Sequence, residues 1–415
     1  MRAKGHYDSP RWSGEITDCS MPVTFDTYSV CSYGCLYCFS AYQRDLGLAH
    51  DSYAAKEARS VNVERVKRIF TDPDSSQFGE YIKARHPIQW GGLSDQFDEF
   101  ERRQGVTLQL LRFFREIEYP ICFSTKAAWW VYDSRYRECF EGFPWFNVKF
   151  SIISTNEEQV RKVERGCPST ADRLAAMAEA AKFVGGGVTL RLRPFIIGMS
   201  NPGHCDLIER AHEAGATAVS TEFFCLEQRS PGGNAQRYPA MSEAISSDIV
   251  AFYRKYSQGS GYLRLNRNIK RPFVDEMQAT CERLGVRFYV SDAHFKERCA
   301  NGSCCGLPPS WNYTRGQNCE ALMLAKANGT VTWSEVGKHL DYVRGFRWSK
   351  SQGYNCNSSE MRAKFYNFTM YDYLRYTWNH PNSGQSPYKM FEGVMVPDHV
   401  DDAGDVVYRY DAERA

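Results

Sequence analysis

The chain has 415 residues, a formal net charge of +2 at pH 7, 43% hydrophobic residues and 24% charged residues. These values are ordinary for a soluble globular protein, and the length favours one large domain with appendages. The near-neutral balance excludes a strongly basic or acidic protein and does not decide whether a polyanion is a partner. No apolar run reaches the ~18 residues of a membrane span.

The cysteine content indicates the compartment. There are 15 cysteines, and the first residues, MRAKGHYDSPRWSGE, lack the apolar stretch of a signal peptide. Cysteines in such a context indicate thiols and metal sites in a reducing compartment rather than disulfides. We therefore expect a cytoplasmic, metal-binding protein.

Hydrophobic periodicity predicts alternating strands and helices after an irregular lead-in at 1–22. Predicted strands cover 23–30, 88–92, 121–125, 148–153, 188–197, 218–224 and 286–290. Predicted helices cover 39–50, 61–70, 107–118, 133–140, 171–184, 204–214, 241–256 and 273–284, with a loop at 230–237. Such alternation over about 200 residues is typical of βα units and a parallel sheet.

The fold class expected from this pattern is α/β, with a partial (β/α) barrel of about six strands. The barrel would occupy residues 23–295. Residues 296–415 would form a C-terminal extension, rich in cysteine and aromatic residues and without a clear period. In barrels of this kind the chemistry lies at the C-terminal ends of the strands.

The most informative motif is a C-x3-C-x2-C run, Cys31, Cys35 and Cys38, which directly follows the first predicted strand. Three thiolates on one short loop can hold three irons of a [4Fe–4S] cluster and leave the fourth iron open. Gly34 would let the loop wrap closely around the cluster. The alternatives are three unrelated buried cysteines or a zinc site with a distant fourth ligand, although zinc ribbons favour paired C-x2-C units.

This spacing resembles that of the radical S-adenosylmethionine (SAM) superfamily. A longer resemblance, over about residues 23–295, is to the spore photoproduct lyase family and its DNA repair photolyase-like relatives. Four stretches in order carry it: CSYGCLYCFSAY, WGGLSDQFDEFERRQGVTLQLLRFF, FSTKA and FSIISTNEEQVRKVERGCPSTADRLAAMAEA.

The resemblance implies that the open iron chelates SAM. Reductive cleavage of SAM then gives methionine and a 5′-deoxyadenosyl radical, which removes hydrogen from a carbon of the substrate. The reductant would be an external one-electron donor such as flavodoxin or ferredoxin. The implied cluster ligands are Cys31, Cys35 and Cys38, and the implied SAM contacts are Gly91, Gly92, Ser94, Lys126 and Ser151. Arg193, a charged residue within a strand pattern, is expected to face substrate or SAM.

Two departures from the lyase bear on the reaction. The lyase returns a hydrogen atom from a cysteine whose aligned position here is Gly92, and no cysteine stands between Cys38 and Cys122. Of the two tyrosines that assist this transfer, Tyr37 remains and the other is replaced by Phe39. The sequence therefore favours modification or rearrangement of a thymine-derived base in DNA over photoproduct repair. One concrete version is isomerisation of an amino-acid adduct on a thymine methyl group.

Two other regions leave alternatives open. Residues 254–271 interleave basic residues with tyrosines, which suits either a nucleic acid or a solvated loop. Four thiols lie between residues 299 and 319: Cys299, Cys304, Cys305 and Cys319, and Cys356 follows. These thiols could bind an auxiliary iron–sulfur cluster, could supply a hydrogen donor such as Cys305, or could be ordinary free cysteines.

Two rival functions follow from these alternatives. An auxiliary cluster would favour a peptide-modifying radical SAM enzyme. A cluster without SAM cleavage would indicate a non-catalytic iron–sulfur protein that binds nucleic acid or senses iron. The implied SAM contacts argue against the second rival, because a sensor needs no SAM pocket.

Overall fold

The computed structural model describes residues 10–13, 16–40, 57–228, 231–258, 262–350 and 359–415. Most of the predicted helix at 39–50 and the cysteine at 356 lie outside these residues. No helix within them is long and apolar enough to cross a membrane.

The chain divides into two compact units. The first comprises Met1–Asp8, Asp26–Val63 and Trp90–Phe288, and the second comprises Ser9–Phe25, Glu64–Gln89 and Tyr289–Ala415. The second unit therefore draws on three separate stretches of the chain. The sequence pattern did not anticipate that residues 64–89 belong with the C-terminal part.

The described strands are short and are numbered here in chain order. They are β1 Arg11–Trp12, β2 Val23–Phe25, β3 Ile88–Trp90, β4 Ile121–Thr125, β5 Phe146–Ser151, β6 Val188–Phe195, β7 Ala218–Phe223, β8 Leu226–Glu227, β9 Ser257–Gln258, β10 Tyr262–Leu265, β11 Arg287–Val290, β12 Thr330–Val331, β13 Met395–Val400 and β14 Val406–Tyr410.

The described α-helices are numbered in the same way. They are α1 Val63–Thr71, α2 Gly79–Lys83, α3 Glu99–Gln104, α4 Val106–Glu116, α5 Ser134–Phe140, α6 Glu157–Val163, α7 Thr170–Ala180, α8 His204–Glu213, α9 Pro231–Ile245, α10 Ile249–Tyr256, α11 Arg267–Leu284, α12 Gly316–Asn328, α13 Trp333–Gly337, α14 Ser359–Phe365, α15 Met370–Trp378 and α16 Pro387–Met390.

A parallel sheet forms the centre of the first unit. Strand β4 pairs in parallel with β5, β5 with β6, and β6 with β7. The last residue of β3 and the first two residues of β11 also belong to this unit, and the strands follow one another in the order β3-β4-β5-β6-β7-β11. Every residue of β5 is buried, as expected for a strand of a parallel sheet covered on both faces.

Aromatic side chains fill the space between this sheet and its helices. The Phe97 and Trp130 rings stack with centroids 4.6 Å apart, and the Trp130 and Phe140 centroids are 4.9 Å apart. Phe123 of β4 lies 5.5 Å from Phe140, between centroids. Such ring pairs contribute about 1 kcal/mol each beyond the area that they bury. The aromatic side chains of the chain are therefore largely part of its core.

The second unit has its own sheet and its own aromatic core. Strands β12, β14 and β13 form an antiparallel sheet, and β1 pairs antiparallel with β2. The Trp12 ring of β1 stacks on Phe346 at 4.9 Å. Trp378 of α15 packs edge-on against Tyr408 of β14 at 4.8 Å. The C-terminal region, which shows no period in sequence, is thus an ordered α+β unit.

Several predicted segments differ in detail: the lead-in predicted as irregular at 1–22 contains β1, and the helix predicted at 273–284 begins at Arg267. Three others differ as follows. The strand predicted at 23–30 ends at Phe25, and the carboxylate of the next residue, Asp26, accepts from the Leu93 N–H at 2.7 Å. Of the loop predicted at 230–237, residue 230 lies outside the described residues and the rest is the start of α9. Pro231 is its first residue, a position where the missing N–H of proline costs no helical hydrogen bond. The helix predicted at 241–256 is two helices, since Asp248 accepts from two N–H groups and caps α10.

Candidate metal centre

The cluster loop, defined as residues 31–38, is held at both ends by hydrogen bonds. Near its start, the Ser32 N–H donates to the Asp98 carboxylate at 2.8 Å, and the Ser32 hydroxyl donates to the same group at 2.9 Å. At its end, the Cys38 N–H donates to the Cys35 carbonyl at 3.0 Å. Gly34 has φ +56°, in the left-handed region that glycine tolerates best, so the loop can turn back on itself.

A second segment, residues 163–167, runs against the cluster loop. The Leu36 N–H donates to the Val163 carbonyl at 2.9 Å, and the Gly166 N–H donates to the Tyr33 carbonyl at 3.0 Å. A β-carbon at position 166 would lie 3.1 Å from the Tyr33 α-carbon, a tight contact that glycine avoids. The two segments are thereby joined by backbone hydrogen bonds.

Buried charges lie directly behind this pair of segments. Glu164 and Arg173 form an ion pair at 2.6 Å, and neither side chain is exposed. The Tyr37 hydroxyl donates to the same carboxylate, and the Arg173 guanidinium also donates to the Ser151 carbonyl at 2.8 Å. Burial opposes ionisation of Glu164, but the Arg173 and Lys126 charges outweigh it and lower the pKa of that carboxyl. A buried pair of this kind fixes geometry.

A fourth thiol reaches the cluster loop from the second segment. The Cys167 Sγ lies 3.5 Å from the Cys35 Sγ, and Cys35, Glu164 and Cys167 place their ligand atoms within 4.8 Å of one another. The hydrogen bond with Cys167 lowers the pKa of the Cys35 thiol, with a further contribution from Lys126. A thiolate is the form of cysteine that ligates metals, so this environment suits a ligand at Cys35.

A glycine turn follows β3. Gly91 has φ +86°, and a β-carbon there would lie 2.2 Å from the Gln96 Oε1 and 3.1 Å from the Ser124 carbonyl oxygen. The half-buried Gly92 follows it. Asp26 fastens the turn, because its carboxylate accepts from the N–H of Ser94 at 2.8 Å. The turn therefore presents bare backbone, as close approach to a ligand requires.

The end of β4 is joined to the same turn. The Asp95 carboxylate accepts from the Thr125 hydroxyl at 2.9 Å and from the Lys126 N–H at 2.6 Å. Burial raises the pKa of Asp95 to about 6. The Lys126 ammonium lies 5.5 Å from the centroid of the Tyr37 ring, on the cluster loop. Burial alone would lower the pKa of Lys126, but the negative groups Cys35 and Glu164 raise it.

The two remaining residues predicted to contact SAM or substrate lie further along the sheet. Ser151, the last residue of β5, is buried, and its hydroxyl accepts from Arg191 at 3.4 Å. Arg193 of β6 forms an ion pair with Glu222 of β7, and both side chains are about one quarter exposed. Glu222 is therefore the partner that Arg193 needs as a charged residue within a strand.

Contacts within the first unit join most of the predicted site residues, and one predicted group of cysteines belongs to the second unit. Contacts connect the cluster loop, the glycine turn and Lys126 in the first unit. Cys305 belongs to the second unit, as do Cys299, Cys304 and Cys319.

The thiols of that second group have other partners. The Cys299 Sγ donates to the Val290 carbonyl at 3.2 Å, and the Cys319 Sγ donates to the Asp18 carbonyl at 3.3 Å. The Cys304 and Cys305 sulfurs lie 3.8 Å apart. Among the described residues, no three of these four cysteines place their sulfurs within 4.8 Å of one another. The same is true of Cys31, Cys35 and Cys38 as a trio, so this spacing does not distinguish the two groups of cysteines.

The basic and aromatic segment 254–271 is not one loop. It runs through the end of α10, the paired strands β9 and β10, and the start of α11. Arg254, Lys255 and Arg264 are exposed, whereas Lys270 is buried. Only part of its charge is therefore available to a polyanion.

The residues present fit a cluster and SAM. The donor set is three cysteines on one tight loop, with the cationic Lys126 and the Arg237 guanidinium near it, the latter donating to the Cys38 carbonyl at 3.4 Å. Burial lowers the pKa of Arg237 to about 10, so it stays charged at neutral pH. Positive groups suit a site that holds a cluster of net negative charge. The glycine turn leaves the close approach that the SAM amino group would use.

Sequence reasoning missed the residues that support this site. Asp26, Asp95, Glu164 and Arg173 are buried and polar, and no local pattern distinguishes them from surface residues. The signal available for the last two, and for Cys167, was their place in the stretch that carries the fourth part of the resemblance, KVERGCPSTADR.

Comparisons with known proteins give a fold. No family model matches the chain, and no curated protein matches it. A mutant spore photoproduct lyase with bound AdoMet and dinucleoside spore photoproduct is 19% identical over 68% of this chain and 80% of its own, with a TM-score of 0.51. A second mutant with the dinucleoside is 18% identical over 68% and 81%, also at 0.51. SuiB of Streptococcus suis, bound to its precursor peptide SuiA, is 11% identical over 68% and 51%, at 0.41.

The protein therefore belongs to the α/β class, with a mostly parallel sheet. More particularly, it has the fold of spore photoproduct lyase, which confirms the predicted partial (β/α) barrel.

Proposed function

We propose that the protein is a radical SAM enzyme that acts on a thymine-derived base in DNA. Cys31, Cys35 and Cys38 hold a [4Fe–4S] cluster, and the glycine turn with Ser94, Lys126 and Ser151 holds SAM. Once bound, the cluster and SAM supply a 5′-deoxyadenosyl radical that removes a hydrogen atom from the base or its substituent. An external one-electron reductant such as flavodoxin or ferredoxin starts the reaction in the cytoplasm.

The observation that carries this proposal is the way three separate segments meet. The Lys126 ammonium faces Tyr37 of the cluster loop at 5.5 Å from the ring centroid, and its own N–H is bound by Asp95 of the glycine turn. A cation beside the cluster loop can bind the SAM carboxylate through a charge-assisted hydrogen bond. A non-catalytic cluster would need neither this lysine nor the bare backbone at Gly91.

The protein's residues set the environment of the reaction. Asp26 and Asp95 keep the glycine turn in one conformation, so a ligand pays little for ordering it. Behind the cluster loop, the Glu164 carboxylate pairs with Arg173 and accepts from the Tyr37 hydroxyl, which fixes the position of that side chain. Arg193, paired with Glu222, is proposed to face substrate or SAM.

The end of the reaction is proposed to differ from photoproduct repair. Gly92 and Phe39 stand where the lyase has a hydrogen-donating cysteine and a tyrosine. We therefore favour base modification or rearrangement, such as isomerisation of an amino-acid adduct on a thymine methyl group. A rearrangement can take its hydrogen back from 5′-deoxyadenosine. If a protein donor takes part, Tyr37 and Cys305 are the proposed residues.

The test uses anaerobically reconstituted, reduced protein with SAM and thymine-containing DNA deuterated at the thymine methyl group. We expect deuterium to move from this DNA into 5′-deoxyadenosine, or into re-formed SAM where the rearrangement takes its hydrogen back. DNA affinity should fall as salt rises, because phosphate contacts release counterions.

The matched control is the same DNA with uracil in place of thymine, which should give no stimulation. SAM cleavage that ignores DNA but rises with a peptide would contradict the substrate assignment and favour the peptide-modifying rival. Retained deuterium transfer into 5′-deoxyadenosine in Cys305→Ala, with loss of the hydrogen-quenched product, would assign Cys305 as the donor.

A further inference from the structure

Cys167 is a thiol that the proposed function leaves without a role. It lies outside the C-x3-C-x2-C run, 132 residues beyond Cys35 in sequence, yet its sulfur is 3.5 Å from the Cys35 sulfur. The contact is imposed by the backbone: the Leu36 and Gly166 N–H groups join the two segments, and the Cys167 N–H donates to the Glu164 carbonyl at 3.0 Å. The position of this thiol is therefore built into the fold.

The direction of this hydrogen bond follows from the chemistry of ligation. A cysteine that binds iron does so as a thiolate, which has no proton and can only accept. With Cys35 on the cluster, the donor must be the S–H of Cys167, a weak but usable donor. The sulfur separation is within the range of a sulfur hydrogen bond.

Resting on the proposed function, we infer that Cys167 is a positioning residue that tunes the cluster through an S–H···S hydrogen bond to the Cys35 ligand. Hydrogen bonds to ligand sulfurs are one of the levers that set the reduction potential of an iron–sulfur cluster. The donor's positive end faces a sulfur that becomes more negative when one electron from the external reductant enters. The Cys167 thiol keeps its proton throughout, so no atom is transferred.

The consequence is easier reduction of the cluster. The reduced state carries more negative charge on sulfur, so a donor stabilises it more than the oxidised state. Removing the donor should therefore make the midpoint potential more negative. The contact is part-buried, with Cys35 itself buried, and a hydrogen bond away from water has a stronger electrostatic effect than one at a surface.

The experiment is a redox titration, followed by electron paramagnetic resonance, of reconstituted protein without SAM. Cys167→Ala and Cys167→Val both remove the donor, and the second better preserves the volume. We expect the equilibrium constant for one-electron reduction to fall at least about threefold and up to about tenfold, the latter corresponding to about 59 mV. Cys167→Ser keeps a donor and should recover part of the shift.

Controls separate tuning from folding and from ligation. Cys281→Ala removes another buried thiol of the first unit, in α11, and should leave the potential unchanged. Iron content and circular dichroism of each variant should match wild type. Loss of iron in Cys167→Ala and Cys167→Val would mean that Cys167 is a ligand, and would overturn the inference.

A shift of less than about threefold in both donor-free variants, or a shift to more positive potential, would also overturn it. These failures are distinct from failure of the proposed function. If wild-type protein holds no [4Fe–4S] cluster or cleaves no SAM, the proposed function fails. If it does both and the potential ignores Cys167, only the tuning role fails.

Discussion

Two cysteine-rich regions of this protein differ in what surrounds their thiols. In the cluster loop, Cys35 faces the Cys167 thiol and the charge of Lys126, and the loop is fastened to residues 163–167 by backbone hydrogen bonds. In the C-terminal region, Cys299 and Cys319 donate their protons to backbone carbonyls, as buried neutral thiols do. The number of cysteines is similar, but the chemistry available to them is not.

The difference shows why cysteine density is a poor guide to a metal site. A ligand needs a thiolate, and the hydrogen bond with Cys167 lowers the pKa of Cys35, whereas burial raises the pKa of Cys31. Burial, which raises the pKa of Cys299 to about 12, keeps that residue a thiol. The loop with three cysteines in eight residues differs from that region in its close spacing, in the glycine at its turn and in the contact between Cys35 and Cys167.

The largest expected effect is on iron content, which should respond differently to substitutions in the two cysteine-rich regions. Replacing Cys31, Cys35 and Cys38 together by alanine should remove all cluster iron from reconstituted protein. Replacing Cys299, Cys304 and Cys305 together by serine should leave the iron content at the wild-type value, because their sulfurs have other partners. Iron and sulfide analysis of the two triple variants checks this. Iron that survives the first triple variant would establish a second cluster.

The buried ion pair behind the cluster loop should contribute far more to stability than an exposed pair. Arg173→Met leaves the Glu164 carboxylate buried without its partner, which costs about 3–5 kcal/mol of unfolding free energy. Lys162→Met removes the exposed pair with Glu158, at 2.8 Å, and should cost about 0.5 kcal/mol or less. Denaturant unfolding of both variants measures this. Equal effects would contradict the account of the site.

Asp95 should make the stability of the site depend on pH. Its pKa in the folded protein is about 6, above the unfolded value near 3.8, so the folded state binds the extra proton between these values. Stability therefore falls as pH rises from about 4 to about 6, by roughly 2–3 kcal/mol in total.

Asp95→Asn removes this titration. The difference in unfolding free energy between wild type and variant should fall over that pH window and then become flat. A difference that is constant from pH 4 to pH 7 would contradict the raised pKa.

A substitution in the glycine turn should have the smallest effect on stability and should specifically weaken SAM binding. Gly91→Ala forces a β-carbon against Gln96 at a positive φ, and should cost about 1–3 kcal/mol and weaken SAM binding. Gly105→Ala also has a positive φ, +63°, but nothing lies within 4 Å of its β-carbon. It should cost about 1 kcal/mol and leave SAM affinity unchanged, as calorimetry can measure.

Sequence predicted those parts of the molecule that depend on local pattern. The strand predicted at 121–125 agrees residue for residue with β4, because an apolar run between a helix and a turn that is this short is a strand rather than a helix. The cluster loop is likewise a local motif. The partial barrel follows from the alternation of strands and helices.

The missed features depend on residues distant in sequence. The contact of Cys167 with Cys35 joins segments more than a hundred residues apart. In the local sequence, Glu164 is indistinguishable from other charged residues at a helix end. The prediction of a loop at 230–237 was wrong because it relied on two glycines and a proline. In the folded protein these residues begin α9. The second unit was missed because three stretches of the chain, 9–25, 64–89 and 289–415, build it together.

The central claim is that the cluster loop and the Gly91–Lys126 region together cleave SAM. The most direct measurement is 5′-deoxyadenosine formation by reconstituted, dithionite-reduced wild-type protein, beside the Cys31, Cys35 and Cys38 triple alanine variant and Lys126→Met. We expect turnover by wild type, none by the triple variant, and a raised SAM requirement in Lys126→Met. No 5′-deoxyadenosine from wild-type protein that carries its full cluster would contradict the account.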